Sequence, residues 1–153
     1  MKPFFAFLPL ALLAAYSPQP QIPPTVTVAD AWCRPTPGGA LTAACYVTLT
    51  ASGDDRFVGV ATSVAERGEI HIMDMTDGIM RMRKLADGLP LPAGAAVVLK
   101  PGAEHIMLIA PKGPLVARTT VPLTLTFEKS APKSLQAPVR TPQAPAMAHG
   151  GMH

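Results

Sequence analysis

Charged residues are scarce in this chain: Asp, Glu, Lys and Arg make up 15% of its 153 residues and leave a formal net charge of only +3. Aromatic residues are scarcer still at 5%, with a single Trp. Nucleic-acid recognition is written as a basic stripe with interleaved aromatics, and no such stripe exists here, so nucleic acid is excluded as a partner. The high pI reflects a small surplus of Lys and Arg, not a basic face. Helical amphipathicity is also missing, because no window of about twelve residues repeats its apolar positions at the helical period. No Ser/His/Asp set and no paired carboxylates stand out, which argues against a hydrolase and against catalysis in general. The two cysteines, Cys33 and Cys45, lack the C-x-x-C spacing that lowers a thiol pKa in redox enzymes.

Long hydrophobic runs are limited to the N-terminus. MKPFFAFLPLALLAAYS, residues 1–17, has one Lys before an apolar stretch of about a dozen residues, short for a membrane span and arranged as a secretory signal or N-terminal anchor. Ala15-Tyr16-Ser17 offers a small-x-small cleavage pattern, but Pro18 follows it. Export to the periplasm is expected, with membrane attachment if the segment is retained. A Pro-rich linker follows over residues 18–24.

From Thr25 the pattern changes to short apolar runs separated by turn residues. TVTVADAWC, AACYVTLT, RFVGVATSV, EIHIMDM, IMRMRKL, AAVVLK, HIMLIA and VPLTLTFE succeed one another. In the last, Val121, Leu123, Leu125 and Phe127 alternate with Pro122, Thr124, Thr126 and Glu128. A period of two with abundant β-branched residues marks strands. Eight or nine strands in about 105 residues predict an all-β antiparallel sandwich over residues 25–129, with a small closed barrel as the alternative. Residues 130–153 are rich in Pro and carry no periodicity, so they are expected to form a flexible tail.

In an exported protein two cysteines form a disulfide by default. Cys33 and Cys45 flank the turn segment RPTPGGALT, which allows cross-strand pairing; a register change of one residue would instead put the thiols on opposite faces.

Methionine is concentrated in one place. EIHIMDMTDGIMRM, residues 69–82, holds four of the chain's eight methionines and one of its four histidines. A hairpin with a four-residue loop, Met75-Thr76-Asp77-Gly78, would set His71 opposite Met82 and Met73 opposite Met80, all on one face. A three-residue loop would put Arg81 and Arg83 there instead. His105 and Met107 in EHIMLI are likewise two apart and share a face. Leu, Ile and Val would dominate a core stripe, as they do in PLTLTF, so the His/Met set points to a metal.

Thioether sulfur is soft and uncharged, favouring Cu(I) over zinc, magnesium or calcium, and imidazole serves Cu(I) as well. Such a site needs no thiolate and therefore survives an oxidising compartment. Acid weakens it by protonating the imidazoles.

The spacing His71, ten residues, Met82, then His105-x-Met107 resembles the periplasmic copper chaperones of the PCu(A)C type. DAWCRPTPGGALTAACYVTL, DDRFVGV, LPAG, LKPGAEHIML and VPLTLTFE resemble successive blocks of that family. The resemblance implies a cupredoxin-like, immunoglobulin-like sandwich and one exposed Cu(I) held by His71, Met82, His105 and Met107; Met73 and Met80, on the same face of the hairpin, are candidate auxiliary donors, and the chain is expected to be monomeric. It further implies delivery to a copper acceptor such as the dinuclear centre of cytochrome oxidase, or exchange with another copper chaperone. Two departures stand out. Twenty-two residues separate Met82 from His105, one more than the family pattern, and that residue is assigned to the Pro/Gly-rich loop KLADGLPLPAG. Cys33 and Cys45 occupy positions where small apolar residues are expected.

The terminus MAHGGMH repeats the same residue types in Met147, His149, Met152 and His153, a set suited to Cu(II) through imidazole nitrogen. Two other functions compete with the carrier. A blue-copper electron carrier needs a Cys beside two His, and a thiol–disulfide oxidoreductase needs a reactive cysteine pair.

Overall fold

The structure is a computed structural model that describes residues 21–142. Among these residues there is no helix long and apolar enough to cross a membrane. Ten strands run in the order β1 (Val26–Cys33), β2 (Thr42–Ala51), β3 (Asp55–Ala61), β4 (Ala65–Thr76), β5 (Ile79–Lys84), β6 (Leu89–Leu91), β7 (Ala96–Leu99), β8 (His105–Pro111), β9 (Thr120–Phe127) and β10 (Lys133–Pro138).

They form two antiparallel sheets. One has the order β1-β2-β8-β4-β5, with β7 pairing the far half of β2; the other has the order β10-β9-β3-β6. The architecture is thus the sandwich and not the closed barrel. The two inner faces bury the alternating apolar residues: Leu49, Ile106 and Leu108 from the first sheet meet Phe57, Leu123 and Leu125 from the second, each at 1% exposure or less. At roughly 1.5–3 kcal/mol for each large apolar side chain removed from water, this interior is what holds the sheets face to face.

Gly68 allows β4 to cross close to β3. A Cβ there would lie 2.6 Å from Val60 Cγ1 and 2.8 Å from the Val60 carbonyl oxygen. At the end of β9 the Asp55 carboxylate gathers the chain, accepting from the backbone N–H groups of Arg56, Lys129 and Ser130 and from the Ser130 hydroxyl. Burial pushes the Asp55 pKa up, but those four donors outweigh it and the net shift is downward.

Two expectations change, and the open pairing of the cysteines is decided. The flexible tail does not begin at residue 130, because Lys133–Pro138 pairs residue for residue with β9 as the edge strand of its sheet. Edge strands tolerate flanking proline, whose missing N–H costs no ladder bond there, and this hides the strand in a Pro-rich sequence. The hairpin loop has two residues, Asp77 and Gly78, both with positive φ (52° and 74°). That backbone matches the twist of paired strands. The register accordingly sets Met73 opposite Met82, Met75 opposite Met80 and His71 opposite Lys84, not His71 opposite Met82 or Met73 opposite Met80. Finally, Cys33 and Cys45 face each other in the β1–β2 register and are joined by a disulfide. Residues 1–17, residues 18–20 of the linker, and Met147, His149, Met152 and His153 lie outside the described residues.

Candidate metal centre

Alternation along β4 and β8 places the site. Ile70, Ile106 and Leu108 point into the core, so His71, His105 and Met107 between them emerge on the outer face of the larger sheet. The β4–β8 register sets His71 directly opposite His105 and Glu69 opposite Met107. The imidazole centroids lie 5.9 Å apart with the rings inclined by 49°.

Each ring is oriented by one hydrogen bond. His71 Nε2 lies 2.8 Å from Glu69 Oε2, and His105 Nδ1 lies 3.0 Å from the Ala103 carbonyl oxygen. A carbonyl oxygen only accepts, so Nδ1 of His105 carries the proton. Glu69 is held ionised, its pKa lowered to about 2 by His71 first and then by Arg67, with Lys84 adding a smaller contribution, so Nε2 of His71 donates to it. The second nitrogen of each ring, His71 Nδ1 and His105 Nε2, is buried without a hydrogen-bond partner. Buried polar atoms rarely stay unpaired. Two such lone pairs on facing imidazoles are what a metal site built from neutral histidine requires, and the outer hydrogen bonds are the supports such ligands have.

The sulfurs flank this pair of rings. Met107 lies one row beyond His105 on β8, is only 6% exposed, and stands diagonal to His71. Met73 lies one row from His71 in the other direction, facing Met82 on β5. Among the described residues no three His, Cys, Asp or Glu side chains form a metal-holding group; the further side chains that could supply donors beside the two imidazoles are the methionines. All four ligands expected from the sequence, His71, Met82, His105 and Met107, therefore share one face. Met82 stands diagonal to His71, a step of roughly 7–8 Å, instead of directly across from it, and the strand β4 separates it from His105.

The row continues through residues that sequence reasoning did not single out. The Tyr46 ring centroid is 6.5 Å from His105, Trp32 packs 4.6 Å from Tyr46, and the Arg140 guanidinium covers Trp32 at 5.1 Å. Trp32 and Tyr46 each neighbour a cysteine, so the assignment of Cys33 and Cys45 to the core would have sent both aromatics outward. Glu69 was equally accessible, being two residues before His71. Both cysteines are fully buried, with Cys45 paired to Ile106 on the core side. Neither can join the His/Met face, which removes the basis for a blue-copper centre, and their burial leaves no accessible thiol pair for an oxidoreductase. A groove of about 570 Å³ between Val26–Ala31 and Lys133–Gln136 lies at the β1 edge, away from all these donors.

The fold is thus an antiparallel β-sandwich that carries imidazole and thioether side chains together on the outer face of its larger sheet. The family described as "Putative lipoprotein LpqE-like" matches residues 26–139, and the chain belongs to that family. It is 32% identical over 115 residues to "Putative lipoprotein Lxx21020" of Leifsonia xyli subsp. xyli, covering 75% of this chain and 69% of that protein. Among solved structures, the copper-bound PCuAC domain from PmoF2 is similar with a TM-score of 0.63 at 22% identity, covering 80% of this chain and 97% of that domain. Apo-DR1885 from Deinococcus radiodurans is similar with a TM-score of 0.58 at 26% identity, covering 93% of this chain and 95% of that one. The sandwich is that of PCuAC domains, as the sequence resemblance implied.

Proposed function

We propose that this protein is an exported copper carrier that binds one Cu(I) on the outer face of the larger sheet through His71, His105, Met82 and Met107. The observation that carries the reading is the facing pair of imidazoles, each anchored at one nitrogen and each with the other nitrogen buried and unpartnered. Neutral nitrogen and thioether donors suit a monovalent soft ion. The copper-bound state of a PCuAC domain and the CuI form of DR1885, similar structures both, support copper as the cargo.

Transfer follows from donor exposure. Met82 is 50% exposed, whereas His105 is 4% exposed. An acceptor's thiolate or imidazole displaces the Met82 sulfur first, and the inner donors release afterwards. The acceptor is the dinuclear copper centre of cytochrome oxidase or another copper chaperone, met in the periplasm. The reaction is ligand exchange without catalysis, and a monomer suffices. With Cys33 and Cys45 bonded to each other, neither is available for lipid attachment. The terminal Met147, His149, Met152 and His153 form a separate Cu(II)-binding segment.

Competitive Cu(I) titration of the parent, Met82→Leu, Met107→Leu and a chain ending at residue 146 tests this. Each Leu substitution is expected to weaken Cu(I) binding by about tenfold or more, equivalent to about 1.4 kcal/mol, while the truncation leaves it unchanged. Unchanged affinity in both Leu variants, or loss of Cu(I) binding on truncation, would refute the assignment.

A further inference from the structure

The β4–β5 hairpin carries more sulfur than one ion needs. Its register makes two adjacent cross-strand methionine pairs, Met73 with Met82 and Met75 with Met80. All four side chains leave the same face of the ladder, because opposed residues in an antiparallel pair share a face and residues two apart repeat it.

The two-residue turn also fixes how close the pairs are. Thr76 and Ile79 close the turn as a hydrogen-bonded pair. Alternation along the ladder then makes Met75–Met80 and Met73–Met82 the non-hydrogen-bonded pairs, whose Cα atoms approach to roughly 4.5 Å. Methionine has three rotatable side-chain bonds, ample for two opposed sulfurs to converge on one point above the strands.

Packing does not account for them. Met75 is 62% exposed, Met80 49% and Met82 50%, so these side chains fill no interior gap. Every residue of β5 is exposed, and a solvated edge strand is ordinarily lined with charged residues that discourage pairing. On the opposite face of the same hairpin that pattern holds, where Arg83 approaches Asp74 at 3.5 Å. The sulfur face departs from it.

We infer that Met75 and Met80, with Met73 as a shared third donor, form a second thioether site for a monovalent soft cation at the hairpin tip, adjacent to the His71/His105 centre. Three neutral sulfurs, two of them on exposed side chains and the third on the half-buried Met73, give weak, quickly exchanging binding. Met73 and Met82 lie in the row between the tip and the imidazoles, so an ion captured at the tip has sulfur donors along the whole way inward. The site itself goes beyond the carrier assignment; its use as a capture point rests on that assignment.

Titration of the full-length, disulfide-intact protein with Ag(I), a redox-silent soft cation, tests the proposal, read by native mass spectrometry and by the ¹³C resonances of the methionine methyl groups. Two bound ions per chain are expected on the sandwich, the first shifting Met82 and Met107 and the second shifting Met75 and Met80. Met75→Leu/Met80→Leu is expected to lose the second ion and keep the first. A second ion that shifts Met147 and Met152 in place of Met75 and Met80, or one that survives the double substitution, would overturn the tip site. A first ion that leaves Met82 and Met107 unshifted would instead overturn the carrier centre, and the response of Met75 and Met80 would still be read separately.

Discussion

His71 and His105 stand directly opposite each other across β4 and β8 with ring centroids 5.9 Å apart, yet neither ring bonds to the other. Each turns one nitrogen to a support, Glu69 or the Ala103 carbonyl, and leaves the other without a partner. In the proposed copper site this is a preorganised pair of donors, and the Glu69 support can be tested separately from the proposed ligands.

Glu69→Ala removes the acceptor that orients His71 and leaves Arg67 and Lys84 without their shared partner. Loss of such an outer support typically costs about 10–100-fold in metal affinity. Cu(I) competition titration should show a fall of that size, and the His71 ring resonances should broaden or move while those of His105 stay in place. An unaffected affinity would mean that the Glu69 contact only stabilises the fold.

Asp55 gives an acid-sensitive element remote from the metal face. Its folded pKa lies below the ordinary 3.8, so the carboxylate's contribution is fully present above that value and is lost as the pH falls through the lower, folded one. Asp55→Asn should flatten this part of the stability profile, and Asp55→Ala should cost about 3 kcal/mol by stranding buried donors. Glu69, held near 2 against an ordinary 4.5, has the same sign and contributes over a window from 4.5 downward. Urea denaturation at a series of pH values measures both.

The disulfide should matter to the fold and not to copper. It closes a loop between positions 12 residues apart, and loops of about 15 residues yield on the order of 3 kcal/mol. Cys33→Ala/Cys45→Ala should lower the denaturation midpoint accordingly while Cu(I) stoichiometry under native conditions is retained, because the sulfurs lie on the core side of the sheet. A lost Cu(I) equivalent in this variant would contradict that placement.

Gly68→Ala tests the crossing of β4 over β3. The new methyl group would overlap Val60 backbone and side chain, and overpacking of this kind costs roughly 1–3 kcal/mol. Thermal unfolding should show the loss. Pairing with Val60→Ala should recover only part of it, because the Val60 carbonyl oxygen remains in the way.

Much of this was legible in the residues. Alternation along VPLTLTFE and HIMLIA is a local property of a strand, so the sandwich and the shared faces of His71 with Met73 and of His105 with Met107 could be read without coordinates. The even length of the hairpin loop, which keeps Arg81 and Arg83 off the sulfur face, was likewise correct in parity. Its length was not, since MTDG as a loop and DG as a turn both place Gly78 where a permissive backbone is needed. Twist decided between them. The short turn, with both central residues at positive φ, shifts the register by two residues along β4 and converts Met75 from a loop residue into the partner of Met80.

The edge strand Lys133–Pro138 was hidden for another reason: its proline-bordered sequence forms a strand because β9 offers an open ladder, and nothing within the segment announces that. The order of residues along this chain, by itself, determined which side chains share a face, because alternation needs only neighbours two positions away. Which faces meet, with His71 beside His105 from 34 positions further along, was decided only when the two sheets closed over a common core and brought β4 and β8 into register.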